Sequence, residues 1–153
     1  MILVLKKILD KSYYSFHESF DDWREAIKAS YVPFLKNGIV NDFYVDAVIK
    51  SVEEYGPYIV LMKDIAMPHS NVNEDWCKET SIAFMKVKKP VIFDPNDSEK
   101  QARLFFSLSI RDNEEHIKNL QGLMEVLENE ELVSELLEAD NEQEFRKIVD
   151  KYK

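Results

Sequence analysis

Glu54-Tyr-Gly-Pro-Tyr-Ile-Val-Leu-Met-Lys-Asp-Ile-Ala-Met-Pro-His-Ser70 is the stretch on which the reading of this chain turns. Gly56-Pro57 ends whatever helix precedes it, because Gly favours a left-handed cap and Pro cannot continue the helical ladder. Tyr58–Met62 is an apolar, partly β-branched run and reads as a buried strand. Pro68 holds Met67 extended and rules out helix there. His69 therefore stands on a stiff, non-helical segment just beyond a strand, where an imidazole can be presented outward.

Upstream, a helix begins near Asn41 or Asp42, with Tyr44, Val45, Val48, Ile49 and Val52 on its apolar face and Gly56 at its end. Before it, Asp22-Trp-Arg-Glu25 has the spacing of a capping box, and Trp23, Ala26, Ile27, Ser30 and Phe34 share one helical face. Pro33 strains the end of that helix and Asn37-Gly38 stops it. Met1–Leu9 reads as a short helix or an edge strand, the helix preferred. Tyr13–Phe20 reads as irregular or part of a strand, with His17 a surface or partly packed residue.

Downstream, Asn71–Glu79 is a polar loop interrupted by Trp76 and Cys77. Thr80–Val87 reads as a strand that Lys88-Lys89-Pro90 breaks, Val91–Phe93 as a short edge-like strand, and Asp94–Asp97 as a turn. Arg103–Ile110 is a further strand. Asp112 or Asn113 then starts a helix whose one side holds His116, Ile117, Leu120, Leu123, Met124 and Leu127. Leu132, Val133, Leu136 and Leu137 mark another helix, and Asn141 with Glu144 caps a last one carrying Phe145, Ile148, Val149 and Tyr152. Helices, strands and helices in this order imply an α/β (α+β) sheet with helices packed on it.

The 153 residues, 45% apolar and 32% charged, suit a single domain over 1–153. No apolar run approaches membrane-spanning length, and Lys6-Lys7 interrupts the apolar start too early for a secretory signal. A single cysteine, Cys77, excludes an internal disulfide and a cysteine-based metal cluster. These features fit a cytoplasmic protein, and a net charge of −9 argues against nucleic acid as a partner. The Glu-rich run Glu125–Glu144 reads as a solvated face.

An imidazole can act as a base, ligate a metal or accept a phosphoryl group, and each role needs a second group to set its tautomer and balance charge. His116, in the first turn of a helix that follows a strand, is the candidate second group, since exposed backbone N–H groups there favour anions. Its place on an apolar face also fits a packed core histidine. A two-histidine metal site has no third ligand marked by spacing. Cys77 has only Lys78 beside it and lacks the surroundings of a nucleophile.

Ile65-Ala-Met-Pro-His69 resembles the phosphorylation motif of the IIA component of the phosphoenolpyruvate-dependent sugar phosphotransferase system (PTS), fructose–mannitol type. Glu54, Leu61, Ile65, Ala66, Met67, Pro68 and His69 fit that motif's frame. His116, in Asp-Asn-Glu-Glu-His-Ile, matches the family's second histidine. Trp23-Arg-Glu-Ala-Ile27, Gly56-Pro-Tyr-Ile-Val60 and Lys89-Pro-Val-Ile-Phe93 resemble the ascorbate-type branch most closely, and the likeness covers Asp22 to Lys151. Met62, Lys63-Asp64, Ser70-Asn71 and Glu53 depart from the pattern. The resemblance implies a three-layer α/β/α sandwich with a mixed sheet. It implies that His69 takes a phosphoryl group from phospho-HPr and passes it to a cysteine of a IIB component serving a membrane IIC transporter, with His116 assisting. It implies no metal and no nucleotide cofactor. A regulatory module reading phosphorylation state is the alternative the same fold allows.

Overall fold

The structure, a computed structural model, describes residues 3–71 and 75–152. In chain order the elements are α1 (Leu3–Lys11), β1 (Tyr14–His17), α2 (Trp23–Ser30), α3 (Val32–Lys36), α4 (Asp42–Tyr55), β2 (Val60–Met62), β3 (Asp64–Ala66), β4 (Ser81–Ile92), β5 (Gln101–Ser109), α5 (Asn113–Glu128), α6 (Glu130–Glu138) and α7 (Glu142–Tyr152). The strands form one five-stranded sheet in the order β1-β4-β5-β3-β2. The β1/β4 and β3/β5 pairs are parallel; β4/β5 and β2/β3 are antiparallel, so the sheet is mixed.

Side chains alternate across a strand, and here both faces are covered. One face packs Met85 and Phe105 against Ile27, Tyr31, Phe34, Tyr44 and Val48 of the α2–α4 layer. The other packs Phe84 and Phe106 against Leu5 and Ile8 of α1, Leu123 of α5, Leu136 of α6 and Phe145 of α7. Two apolar clusters with the sheet between them make the expected three-layer α/β/α sandwich. Burial on both sides explains why Leu104-Phe-Phe106 reads as a continuous apolar run rather than an alternation.

Caps fix the helix starts. Asn41 Oδ1 accepts the Tyr44 N–H at 3.2 Å, Asn129 Oδ1 the Leu132 N–H at 3.0 Å, and Asn141 Oδ1 the Glu144 N–H at 2.9 Å. The Glu144 carboxylate reaches back to the Asp140 N–H at 2.8 Å. Each such cap contributes about 1 kcal/mol. Asp22 caps α2 through the Arg24 N–H at 3.4 Å, one residue earlier than a capping box would use.

Three expectations are corrected. Tyr58–Met62 is not a buried strand. Only Val60–Met62 is strand, at the edge of the sheet, with Leu61 and Met62 exposed. The chain then turns at Lys63-Asp64, with Asp64 at φ 77°, a conformation Asp tolerates better than most residues, and Asp64–Ala66 becomes a separate inner strand. Second, Lys88-Lys89-Pro90 does not break the strand. The β4/β5 register jumps from Lys86↔Leu104 to Val91↔Ala102, so residues 87–90 bulge opposite Arg103 alone. A bulge accommodates the proline's missing donor, and β4 runs on to Ile92. Third, the buried side of α5 is Leu123, Val126 and Leu127, while Ile117 and Met124 are exposed.

Phe145 of α7 stacks on Phe84 of β4, with centroids 5.0 Å apart and planes at 13°. Phe145→Ala is expected to lower unfolding free energy by about 3–5 kcal/mol, measured by urea denaturation followed by circular dichroism.

Candidate phosphoryl-transfer site

β3 and β5 are parallel neighbours, so their carboxyl ends reach the same edge of the sheet. Ligand and reaction sites in α/β sheets collect at such ends. Beyond β3 the chain continues as Met67-Pro68-His69; beyond β5 it continues through Ile110-Arg111 to Asp112, the N-cap of α5. The His69 segment is tied down on both sides. Met67 N–H donates to Ile59 O at 2.8 Å and Leu108 N–H to Pro68 O at 2.9 Å. The Tyr31 hydroxyl lies 2.9 Å from Pro68 O and 2.9 Å from Leu108 O. The Tyr44 hydroxyl donates to Leu108 O at 2.9 Å and accepts the Ser70 N–H at 3.3 Å. Both tyrosines are fully buried, and burial raises both phenol pKa values well above 10, so they act as neutral hydrogen-bonding groups.

His69 itself is half-buried, flanked by the buried Pro68. Its Nδ1 lies 2.7 Å from Met67 O. A carbonyl oxygen only accepts, so Nδ1 carries the hydrogen and Nε2 keeps the lone pair. The Tyr58 ring stands edge-on to the imidazole, at 5.5 Å and 84°, and its hydroxyl donates to His69 O at 3.4 Å.

His116 is also half-buried, in the opening of α5. Its pKa is lowered, first by desolvation and second by positive charge on His69. The two imidazoles are therefore close enough for the charge on one to be felt by the other, and neutral His116 is the favoured form at pH 7. The open N–H groups expected around His116 are taken. Asp112 accepts the Glu114 N–H at 3.2 Å and the Glu115 N–H at 3.4 Å, and its carbonyl accepts the His116 N–H at 3.1 Å. The helix start is closed by its own cap, not held open for an anion.

Other singled-out residues lie elsewhere or are inert. His17 pairs with Val87, toward the end of β4 remote from the site, and burial against Phe20 lowers its pKa. Cys77 is buried, its thiol points to Glu79 O, and burial raises its pKa. Met62, Lys63 and Asp64 sit at the tip of the β2–β3 hairpin, at the opposite end of β3 from His69, so these departures leave the imidazole's surroundings alone. Glu53 is engaged by Arg24, with Nη2 at 3.0 Å and Nε at 3.1 Å. Beside His69, a surface depression is lined by Lys50, Ser51 and Glu54 of α4 with Ser70, Asn71 and Trp76. Tyr31, Tyr44 and Tyr58 contact the His69 segment, which pattern reading did not bring out; the hairpin register would have set Tyr58 beside that segment. Among the described residues no group of three or more His, Cys, Asp or Glu could hold a metal ion, and no helix is long and apolar enough to cross a membrane.

Residues 7–152 match the family described as "Phosphoenolpyruvate-dependent sugar phosphotransferase system, EIIA 2". The chain belongs to this family. This EIIA chain is 32% identical over 145 residues to the mannitol-specific cryptic phosphotransferase enzyme IIA component of Escherichia coli K12, covering 95% of this chain and 97% of that one. It is 29% identical over 136 residues to the ascorbate-specific PTS EIIA component of Mycoplasma pneumoniae, covering 88% and 84%. The solution structure of a mannitol-specific cryptic IIA of Escherichia coli aligns with a TM-score of 0.81 at 30% identity, covering 97% and 99%. The fold is shared with the Escherichia coli mannitol IIA in its complex with phosphorylated mannitol IIB (TM-score 0.71, 22% identity, 91% and 94% covered). An EIIA chain is a phosphotransferase component of sugar transport, and this one has that kind of role.

Desolvation outranks the His69 charge in lowering the His116 pKa. His69→Gln should therefore move the His116 titration upward but leave it below the ordinary ~6.5, as read by NMR titration of the imidazole protons. A downward move, or none, would contradict the coupling.

Proposed function

We propose that His69 is the phosphoryl acceptor of this EIIA chain. It receives the group from phospho-HPr and passes it to a cysteine of a IIB component that serves a membrane IIC transporter. The observation that carries the reading is the Nδ1 contact with Met67 O at 2.7 Å, which leaves the Nε2 lone pair free on a half-exposed ring. In the first step the Nε2–P bond forms as the donor–P bond breaks, while Nδ1 keeps its proton and goes on donating it to Met67 O. In the second, a IIB thiolate forms the S–P bond as Nε2–P breaks. Phosphoryl transfer of this kind depends on positioning and charge stabilisation. The Tyr31–Tyr44 clamp supplies the first. Neutral His116 supplies part of the second, as a hydrogen-bond donor to a phosphoryl oxygen.

Two proteins must reach the same imidazole in turn, which calls for an open and partly apolar approach. Exposed Tyr58 beside His69, Ile117 next to His116, and Phe43 stacked on Trp76 support such docking. In this reading residues 1–153 act as one domain in the cytoplasm, where HPr and IIB operate.

Incubation with labelled phosphoenolpyruvate, enzyme I and HPr is expected to label the chain and to leave His69→Ala unlabelled; label surviving that substitution would overturn the assignment. His116→Ala should still accept label but turn over about 10²-fold more slowly, as loss of one transition-state donor costs in other enzymes. Full-rate transfer would reduce His116 to packing.

A further inference from the structure

Gly56 ends α4 at φ 83°, and the turn behind it is tight: Tyr58 N–H donates to Gly56 O at 2.8 Å and Val60 N–H to Pro57 O at 3.1 Å. β2 then pairs with β3 so that Val60 opposes Ala66, and the Met67 N–H bond to Ile59 O extends that pairing by one residue. Continued one step further, the same antiparallel register sets Tyr58 against Pro68, next to His69. The edge-on ring contact thus lies one residue off that register, with Tyr58 held in the turn that leads into β2 by the two backbone bonds just described.

Among the described residues, the His69 ring is hydrogen-bonded at one nitrogen, by Met67 O. A single bond of this kind leaves rotation of the ring plane opposed by nothing but its neighbours. Tyr58 is the neighbour at ring-contact distance, and the edge-to-face arrangement is a favoured aromatic geometry. Its hydroxyl bond to His69 O is long, at 3.4 Å, so the ring rather than the hydroxyl supplies most of the hold.

We propose that Tyr58 is a positioning residue for the transfer reaction: its ring keeps the His69 imidazole in the orientation that presents Nε2, and it screens the phosphorylated ring from water. This rests on the reading of His69 as the carrier. The side reaction it suppresses is hydrolysis, in which a water oxygen bonds to phosphorus as Nε2–P breaks, inorganic phosphate leaves, and a water proton is taken up by Nε2.

The test uses the full chain with ¹⁵N-labelled histidine and the variants Tyr58→Phe, Tyr58→Leu and Tyr58→Ala, each checked for folding by circular dichroism. In unphosphorylated protein, the wild type and Tyr58→Phe should show one His69 tautomer, with hydrogen on Nδ1; Tyr58→Leu and Tyr58→Ala should show a mixture. After phosphorylation and removal of enzyme I and HPr, loss of the ³¹P phosphohistidine signal should be about tenfold faster in the Leu and Ala variants. An unchanged tautomer and lifetime in Tyr58→Leu would overturn the proposal. Tyr58→Phe behaving like Tyr58→Ala would overturn the assignment to the ring. If the wild type never carries phosphate, the His69 reading fails, and the tautomer comparison still decides what Tyr58 does.

Discussion

The carbonyl oxygen of Pro68 is the point on which the arrangement of this molecule converges. Proline has no N–H, so that oxygen is the residue's only backbone handle. It is used twice over, by the Leu108 N–H from β5 and by the Tyr31 hydroxyl from the junction of α2 and α3. Tyr44 of α4 completes the knot by joining Leu108 O to the Ser70 N–H. All of these groups are buried or nearly so, where an unpaired polar atom would cost about 1–3 kcal/mol. The helix layer and the sheet must therefore agree on one position for the Met67–Ser70 backbone, and His69 inherits it.

From that fixed backbone the chemistry needs little more. Met67 O selects the tautomer, and desolvation keeps His116 neutral and able to donate. Tyr58 closes one side of the ring. In the proposed relay no group has to move for a phosphoryl group to arrive or depart. This suits a protein whose donor and acceptor are themselves large and dock at the surface.

Much of this was legible in the chain because it is locally encoded. α4 showed its five core residues at helical spacing, and Asn41, Asp112 and Asn141 announced three helix starts. Pro68 and the run before it set His69 beyond a strand. What stayed hidden depends on partners distant in sequence. Tyr58–Met62 looked like a buried strand and β3 went unread because the hairpin tip is Lys63-Asp64 rather than a glycine turn, and edge position cannot be read from Leu61 or Met62 alone. Pro90 looked like a strand breaker because the bulge that absorbs it is defined by the β5 register. The α5 stripe was misjudged at Ile117 and Met124, which point to solvent in spite of their period. The tyrosine clamp had no local signature at all, since its hydroxyls reach across 37, 64 and 77 residues.

The cap on α5 has a bearing on energy storage. Its own aspartate occupies the Glu114 and Glu115 N–H groups that elsewhere would help neutralise a bound anion, and Glu114 and Glu115 add negative charge nearby. In a chain of net charge −9, a dianion on His69 would sit in a mildly hostile field. In the proposed relay such a field would keep the group-transfer potential of the adduct high: a carrier must be a reluctant host, or the phosphate would lodge there instead of travelling downhill to the next thiol.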